Sequence, residues 1–175
     1  MIIRPTALEG AYVIDVERRR DERGFFARTF SVEELAAHGL ESHVEQSNIS
    51  WNRQKGTLRG LHYQVAPHEE TKIVRCTRGA IWDVMLDIRS GSPSFGRWHA
   101  EELTGDNHRM LYVPRGFAHG YLTLIDDTEV SYLVGHRYAP ESGRGIRWDD
   151  PAFAIQWPFM PTLISAADLS HAPWK

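Results

Sequence analysis

The sequence predicts an all-β protein, an antiparallel sandwich or barrel, and two observations carry that expectation. Short runs of strand-favouring residues recur at Ala80–Ile88 (AIWDVMLDI), Arg109–Val113 (RMLYV), Phe117–Leu124 (FAHGYLTL) and Thr128–Val134 (TEVSYLV). Turn signals punctuate them at Arg78-Gly79, Ser90-Gly91-Ser92-Pro93, Thr104-Gly105-Asp106-Asn107 and Ile125-Asp126-Asp127. Many short strands at this spacing favour antiparallel pairing over βαβ units. Helices are few. Ser31 can cap SVEELAAHGL, with Glu34 three residues on completing a capping box and Gly39 near the stop. Ser165–Leu169 can form a helical turn in the Pro-rich tail from Pro158 to Lys175. With no internal repeat, low-complexity run or linker, residues 1–175 read as one domain.

Bulk numbers exclude several classes of function. The 175 residues are 42% hydrophobic and 25% charged, ordinary globular usage that argues against disorder or a fibrous repeat. A net charge of −3 supplies no positive excess for a nucleic-acid backbone or an anionic membrane. Cys76, the single cysteine, cannot form an internal disulfide, and no cysteine cluster exists for structural zinc. The start, MIIRPTALEG, lacks the pattern of a secretory signal, and no apolar run approaches the roughly 20 residues of a membrane helix. The expectation is a soluble cytoplasmic protein.

Three segments carry more polar chemistry than a β sandwich needs. In Thr57–Gln64 (TLRGLHYQ), strand alternation sends Arg59, Leu61 and Tyr63 to one face and Gly60, His62 and Gln64 to the other. A twist or bulge at Gly60 can return Arg59 to the His62 side. In Tyr112–Gly120 (YVPRGFAHG), a Pro and Gly turn delivers His119 to the start of a strand. Tyr132 sits inside the strand-like run Thr128–Val134. Taken singly, a strand histidine is more often structural, and a tyrosine in a β barrel is usually core with its hydroxyl satisfied.

Pro114-x-Gly-x-x-His119 resembles the second motif of the cupin superfamily, whose fold is a jelly roll, the double-stranded β-helix. Metal-binding cupins have His-x-His in their first motif, where this chain reads His62-Tyr63-Gln64. Two histidines, His62 and His119, without a clear third ligand make a poor zinc or iron site, so no metal and no cofactor are expected. More specifically, the chain resembles the dTDP-4-dehydrorhamnose 3,5-epimerase family. Seven ordered blocks carry the likeness: Asp21–Phe26, Gln46–Asn48, Gly56–Gln64, Lys72–Arg75, Gly79–Arg89, Val113–Gly120 and Gly145–Pro151. The resemblance implies a cupin-type jelly roll with a few short peripheral helices. It also implies epimerisation of a nucleoside-diphosphate 4-keto-6-deoxy sugar, foremost dTDP-4-dehydro-6-deoxy-D-glucose at C3 and C5.

A 4-ketone acidifies the hydrogens on both neighbouring carbons. Inversion then needs a base on one face, an acid on the other and a stabiliser for the enolate oxygen. By resemblance His62 is the base, Asp168 its partner, Tyr132 the acid and Lys72 the cation near the oxyanion. Arg59 and His119 become the phosphate ligands, and Tyr138 stacks on the base of the nucleotide. Arg23, Gln46 and Asn48 contact the nucleotide sugar, with Arg23 reaching across from a second subunit. A homodimer follows. The family's carboxylates at the positions of Arg28 and Gly143 and its lysine at the position of Ala167 are missing here; Glu141 is the candidate substitute for the acid absent at Gly143. Alternatives at this level are a one-position epimerase, a keto-isomerase and a non-catalytic sugar-binding cupin.

Overall fold

The computed structural model describes residues 1–174. In chain order its strands are β1 (Ile2–Pro5), β2 (Tyr12–Asp15), β3 (Arg19–Asp21), β4 (Gly24–Phe26), β5 (Gln46–Asn52), β6 (Thr57–Gln64) and β7 (Lys72–Arg78). They continue as β8 (Ala80–Asp87), β9 (Trp98–Thr104), β10 (Met110–Val113), β11 (Phe117–Thr123), β12 (Thr128–Val134), β13 (Gly143–Gly145) and β14 (Leu163–Ile164). Two short helices, α1 (Val32–Ala37) and α2 (Ala166–Leu169), complete the list. None of these helices is long and apolar enough to cross a membrane.

The fold is the expected cupin-type jelly roll. One sheet runs β1-β2-β10-β7-β12-β5 and the other β13-β6-β11-β8-β9, with β14 lying parallel beside β6. Between them Val13, Val74, Leu111, Val113 and Val130 of the first sheet meet Ile81, Met85, Leu103, Phe117 and Tyr121 of the second. Interdigitation of two inner faces is what binds such a sandwich. Each outer face has its own cover. Leu35 of α1 seals Ile14, Ile73, Met110 and Tyr112, while Phe153, Ile155, Trp157 and Trp174 of the tail seal Leu61, Val84, Leu86 and Ala118. β11 is consequently buried along its whole length.

The helices differ in detail from expectation. Ser31 Oγ does accept from Glu34 N at 3.3 Å, but the Glu34 carboxylate bonds Arg28 at 2.9 Å, so only half of the capping box forms. α1 ends at Ala37, two residues before Gly39, which takes φ +69°. Ser165 caps α2 by accepting from Asp168 N at 3.0 Å.

One departure from regular pairing matters for chemistry. His119 of β11 is opposite His62 of β6, yet Tyr121 is opposite Arg59: between these pairs Gly120 alone faces both Gly60 and Leu61. The extra residue is a β-bulge, and it undoes strand alternation. Gly60 makes it possible, since φ is +111° and a Cβ there would lie 2.7 Å from the His119 carbonyl oxygen.

Candidate active site

The two sheets part at one end around a cavity of about 510 Å³. Gln46 and Asn48 of β5, Lys72 of β7 and Tyr132 of β12 line it from the first sheet; His62 of β6, Gly143 of β13 and Asp168 of α2 line it from the second. A smaller cavity of about 160 Å³ shares His62, Lys72 and Tyr132 and adds Ser50, Arg59, His119 and Tyr121. The bulge therefore places Arg59 and His62 on one continuous recess, as the Gly60 argument anticipated.

His62 Nε2 lies 2.6 Å from Asp168 Oδ1, and Asp168 Oδ2 accepts from the Gly60 amide at 3.3 Å. Burial opposes ionisation of Asp168, but its hydrogen bonds with His62, Gly60 N and Ser165 outweigh that, so its carboxyl lies below the usual carboxylate range. With Nε2 committed, Nδ1 of His62 is the nitrogen left without a protein partner among the described residues. On the opposite sheet the Tyr132 hydroxyl has no hydrogen bond among those residues either. Burial raises its pKa, so the phenol holds its proton more firmly than in water. Lys72 Nζ pairs with Glu70 Oε1 at 2.9 Å, both side chains largely buried.

The recess continues into a polar floor. Arg59 Nε donates to Asn52 Oδ1 at 2.8 Å, and Tyr121 OH donates to Ser50 Oγ at 2.8 Å. His119 commits Nε2 to the fully buried Asp83 at 2.8 Å. Gln64, where a metal-binding cupin has its second histidine, is fully engaged: its amide nitrogen reaches His68 O and Glu70 Oε2, and its oxygen accepts from Ala139 N at 2.7 Å. It is a brace for the cavity rim.

Other expected residues divide. Gln46, Asn48 and Tyr138 line the larger cavity, with Tyr138 65% exposed at its mouth. Arg23 does not reach either cavity of its own chain; it stands exposed on the β3–β4 hairpin, bonded to Asp21 at 2.6 Å. Among the departures, Gly143 and Ala167 line the cavity, whereas Arg28 lies apart with Glu34. Glu141 is exposed, 3.7 Å from His68 Nε2. Glu70 and His171 are among the residues that sequence reasoning missed and that line the larger cavity. The Asp168-x-x-His171 spacing on a helical turn, which puts both on one face, was the available signal for the second.

Strand order, together with a sandwich interior that turns polar at one end, defines an enzyme of the cupin-type class whose ligand enters between the sheets. Residues 5–175 match the sequence model of the dTDP-4-dehydrorhamnose 3,5-epimerase family. The chain belongs to that family. A curated dTDP-4-dehydrorhamnose 3,5-epimerase of Sinorhizobium fredii is 44% identical over 153 residues, covering 87% of this chain and 78% of the relative. The crystal structure of the Bacillus anthracis dTDP-4-dehydrorhamnose 3,5-epimerase with TDP and pyrophosphate superposes with TM-score 0.95 at 36% identity, covering 99% of each chain. A Legionella pneumophila dTDP-6-deoxy-D-glucose-3,5-epimerase in complex with dTDP-4-keto-L-rhamnose gives TM-score 0.90 at 37% identity, covering 97% of this chain and 90% of the other.

Proposed function

We propose that this isomerase epimerises dTDP-4-dehydro-6-deoxy-D-glucose at C3 and C5, with His62 as base and Tyr132 as acid. The observation that carries the roles is the 2.6 Å His62–Asp168 hydrogen bond on one sheet, with a half-buried phenol on the other that has no partner among the described residues. Nδ1 of His62 takes a proton from the carbon beside the ketone, and the C–H electrons move onto the carbonyl oxygen. Asp168 supports the imidazolium that results. The Lys72 ammonium stabilises the enolate oxygen, an interaction stronger in the transition state than in the ground state. Tyr132 then donates its proton to the opposite face. Solvent reprotonates the phenolate and takes the proton from His62, which resets the site.

Arg59 and the floor around His119 suit the diphosphate, since guanidinium binds phosphate by charge-assisted hydrogen bonds. Gln46, Asn48 and Tyr138 suit the sugar and nucleotide at the wider mouth. The wholly exposed β3–β4 hairpin, with Phe26 65% exposed, and the outward Ile49 and Trp51 of edge strand β5 suit burial against a second copy. A homodimer of about twice 20.0 kDa, with Arg23 completing the partner's site, follows from this reading. A reduced compartment such as the cytoplasm suits the single buried Cys76 thiol, which burial pushes up to about 11.

Turnover of the 4-keto substrate in deuterium oxide tests the reaction. Deuterium at C3 and C5 with inverted product is expected. Incorporation at one carbon alone would restrict the activity to that position, and a shifted carbonyl or no incorporation would overturn the proposal.

A further inference from the structure

We infer that His62, Asp168 and His171 form a site for one divalent transition-metal ion of the zinc type, and that occupancy of this site silences the base. One nitrogen or oxygen from each of the three lies within 4.8 Å of the others. His62 Nε2 is 2.6 Å and His171 Nε2 3.8 Å from the same oxygen, Asp168 Oδ1. Zinc holds nitrogen and oxygen ligands at about 2.0–2.1 Å, which in a tetrahedron separates ligand atoms by about 3.3 Å. The His62 contact therefore opens by about 0.7 Å and the His171 contact closes by about 0.5 Å, while the two imidazole ligand atoms, within 4.8 Å of each other, draw together by at most about 1.5 Å, movements made by turning the two rings.

The surroundings favour a metal at this place. His171 Nε2 is buried yet has no hydrogen-bond partner among the described residues. Its ring stands edge-on to His62 and lies against Gly145, where a Cβ would come within 1.9 Å of Nε2. Gly145 thus makes the space that the ring fills. The Gly60 amide, 3.3 Å from Asp168 Oδ2, orients the carboxylate from behind, the kind of outer support that metal-binding carboxylates use. All three residues line the larger cavity, so water can complete the coordination. Two imidazoles and one carboxylate suit zinc, cobalt or nickel, whereas magnesium and calcium demand oxygen ligands.

Metal on Nε2 of His62 forces its remaining proton onto Nδ1, the nitrogen that would accept the substrate proton. The ion is then an inhibitor, not a cofactor. Metal affinity rests on geometry alone; inhibition also rests on the catalytic reading of His62, and the two are measured separately.

Tag-free, EDTA-treated protein is titrated calorimetrically with zinc chloride, with magnesium chloride as control, and cobalt chloride is followed by its visible absorption. One equivalent of zinc and of cobalt should bind, and magnesium should not. His171→Gln and His171→Ala, their folding checked by circular dichroism melting, should bind zinc at least about tenfold more weakly, because even outer-shell changes cost 10–100-fold. One equivalent of zinc should abolish most solvent exchange by the unsubstituted enzyme, reversibly with EDTA. At that zinc concentration each variant should keep most of its own metal-free rate. Absence of saturable zinc binding, or equal affinity in both variants, overturns the site. Tight binding that leaves exchange untouched overturns the silencing.

Discussion

The two walls of the cavity are built on different terms. On the β6 wall the functional imidazole is fixed before any ligand arrives: Asp168 holds it, and Gly60 N and Ser165 hold Asp168. On the β12 wall the Tyr132 hydroxyl is shielded but bonded to nothing among the described residues, and Asn48 beside it likewise has no side-chain partner. A base must carry the right tautomer at the start, which a carboxylate enforces. A donor needs its partner only when the enolate exists. On the proposed roles, the contrast teaches that preorganisation is concentrated where a proton is taken, and that the receiving wall is left for the ligand to complete.

That asymmetry is open to attack from both sides. His62→Ala should cost the most, lowering both deuterium exchange and product formation by at least the 10²–10⁴-fold typical of acid–base groups. Tyr132→Phe should cost product by a comparable factor while measurable exchange persists, since His62 can still form the enolate and return the proton to its original face. Equal loss of both signals in Tyr132→Phe would erase the distinction between the walls.

Asp168→Asn should sit below these, reducing exchange by roughly 10²–10³-fold through loss of tautomer control without removing the base. The pH dependence has a definite sign. The carboxyl of Asp168 titrates below its ordinary 3.8, so its stabilising contribution is complete above that value and is lost as pH falls through the lowered one. Thermal melting followed from pH 6 downward should lose this contribution in the unsubstituted protein and show no corresponding loss in Asp168→Asn.

Arg59→Ala should act mainly on KM, by about 10–100-fold, the value of one charge-assisted hydrogen bond of roughly 1.5–3 kcal/mol; an unchanged KM would remove the diphosphate from this end of the recess. The smallest effect on chemistry per site should come from Trp51→Glu on the outer edge of β5. Light scattering should show a dimer in the parent and a shift toward monomer in the variant, and a fully active monomeric parent would refute the shared site.

Much of this was legible in the sequence because local and global signals agreed. Thr128–Val134 is β12 to the residue, and Ser31 and Ser165 cap the helices expected of them. Strand β5 was not recognisable as a strand, for a physical reason. Its inward residues are polar because Gln46, Asn48 and Ser50 face the cavities and Asn52 holds Arg59, while its outward Ile49 and Trp51 are apolar, so the usual pattern is inverted. Patterning fails where function overrides it. Glu70 and His171 lie only two and three residues from Lys72 and Asp168, but neither belongs to a motif, and only the folded chain shows that both line the larger cavity. Arg23 reads as a turn residue by itself, and within one chain that is how it is placed.

The bulge at Gly60 acts as a ruler. An unbroken strand offers its inner face only in steps of two residues, about 6.6 Å each at roughly 3.3 Å per residue. By absorbing one residue, β6 presents Arg59 and His62 on the same recess although they are three positions apart: they pair with Tyr121 and His119, two apart on β11, so they span roughly the 6.6 Å that a regular strand reserves for residues two apart. That interval is set by backbone alone, so exchanging side chains at either end leaves the gauge intact. Straightening β6 with every residue kept would restore strict alternation and turn Arg59 away from the recess, separating the proposed phosphate ligand from the proposed base while both side chains remained in the chain.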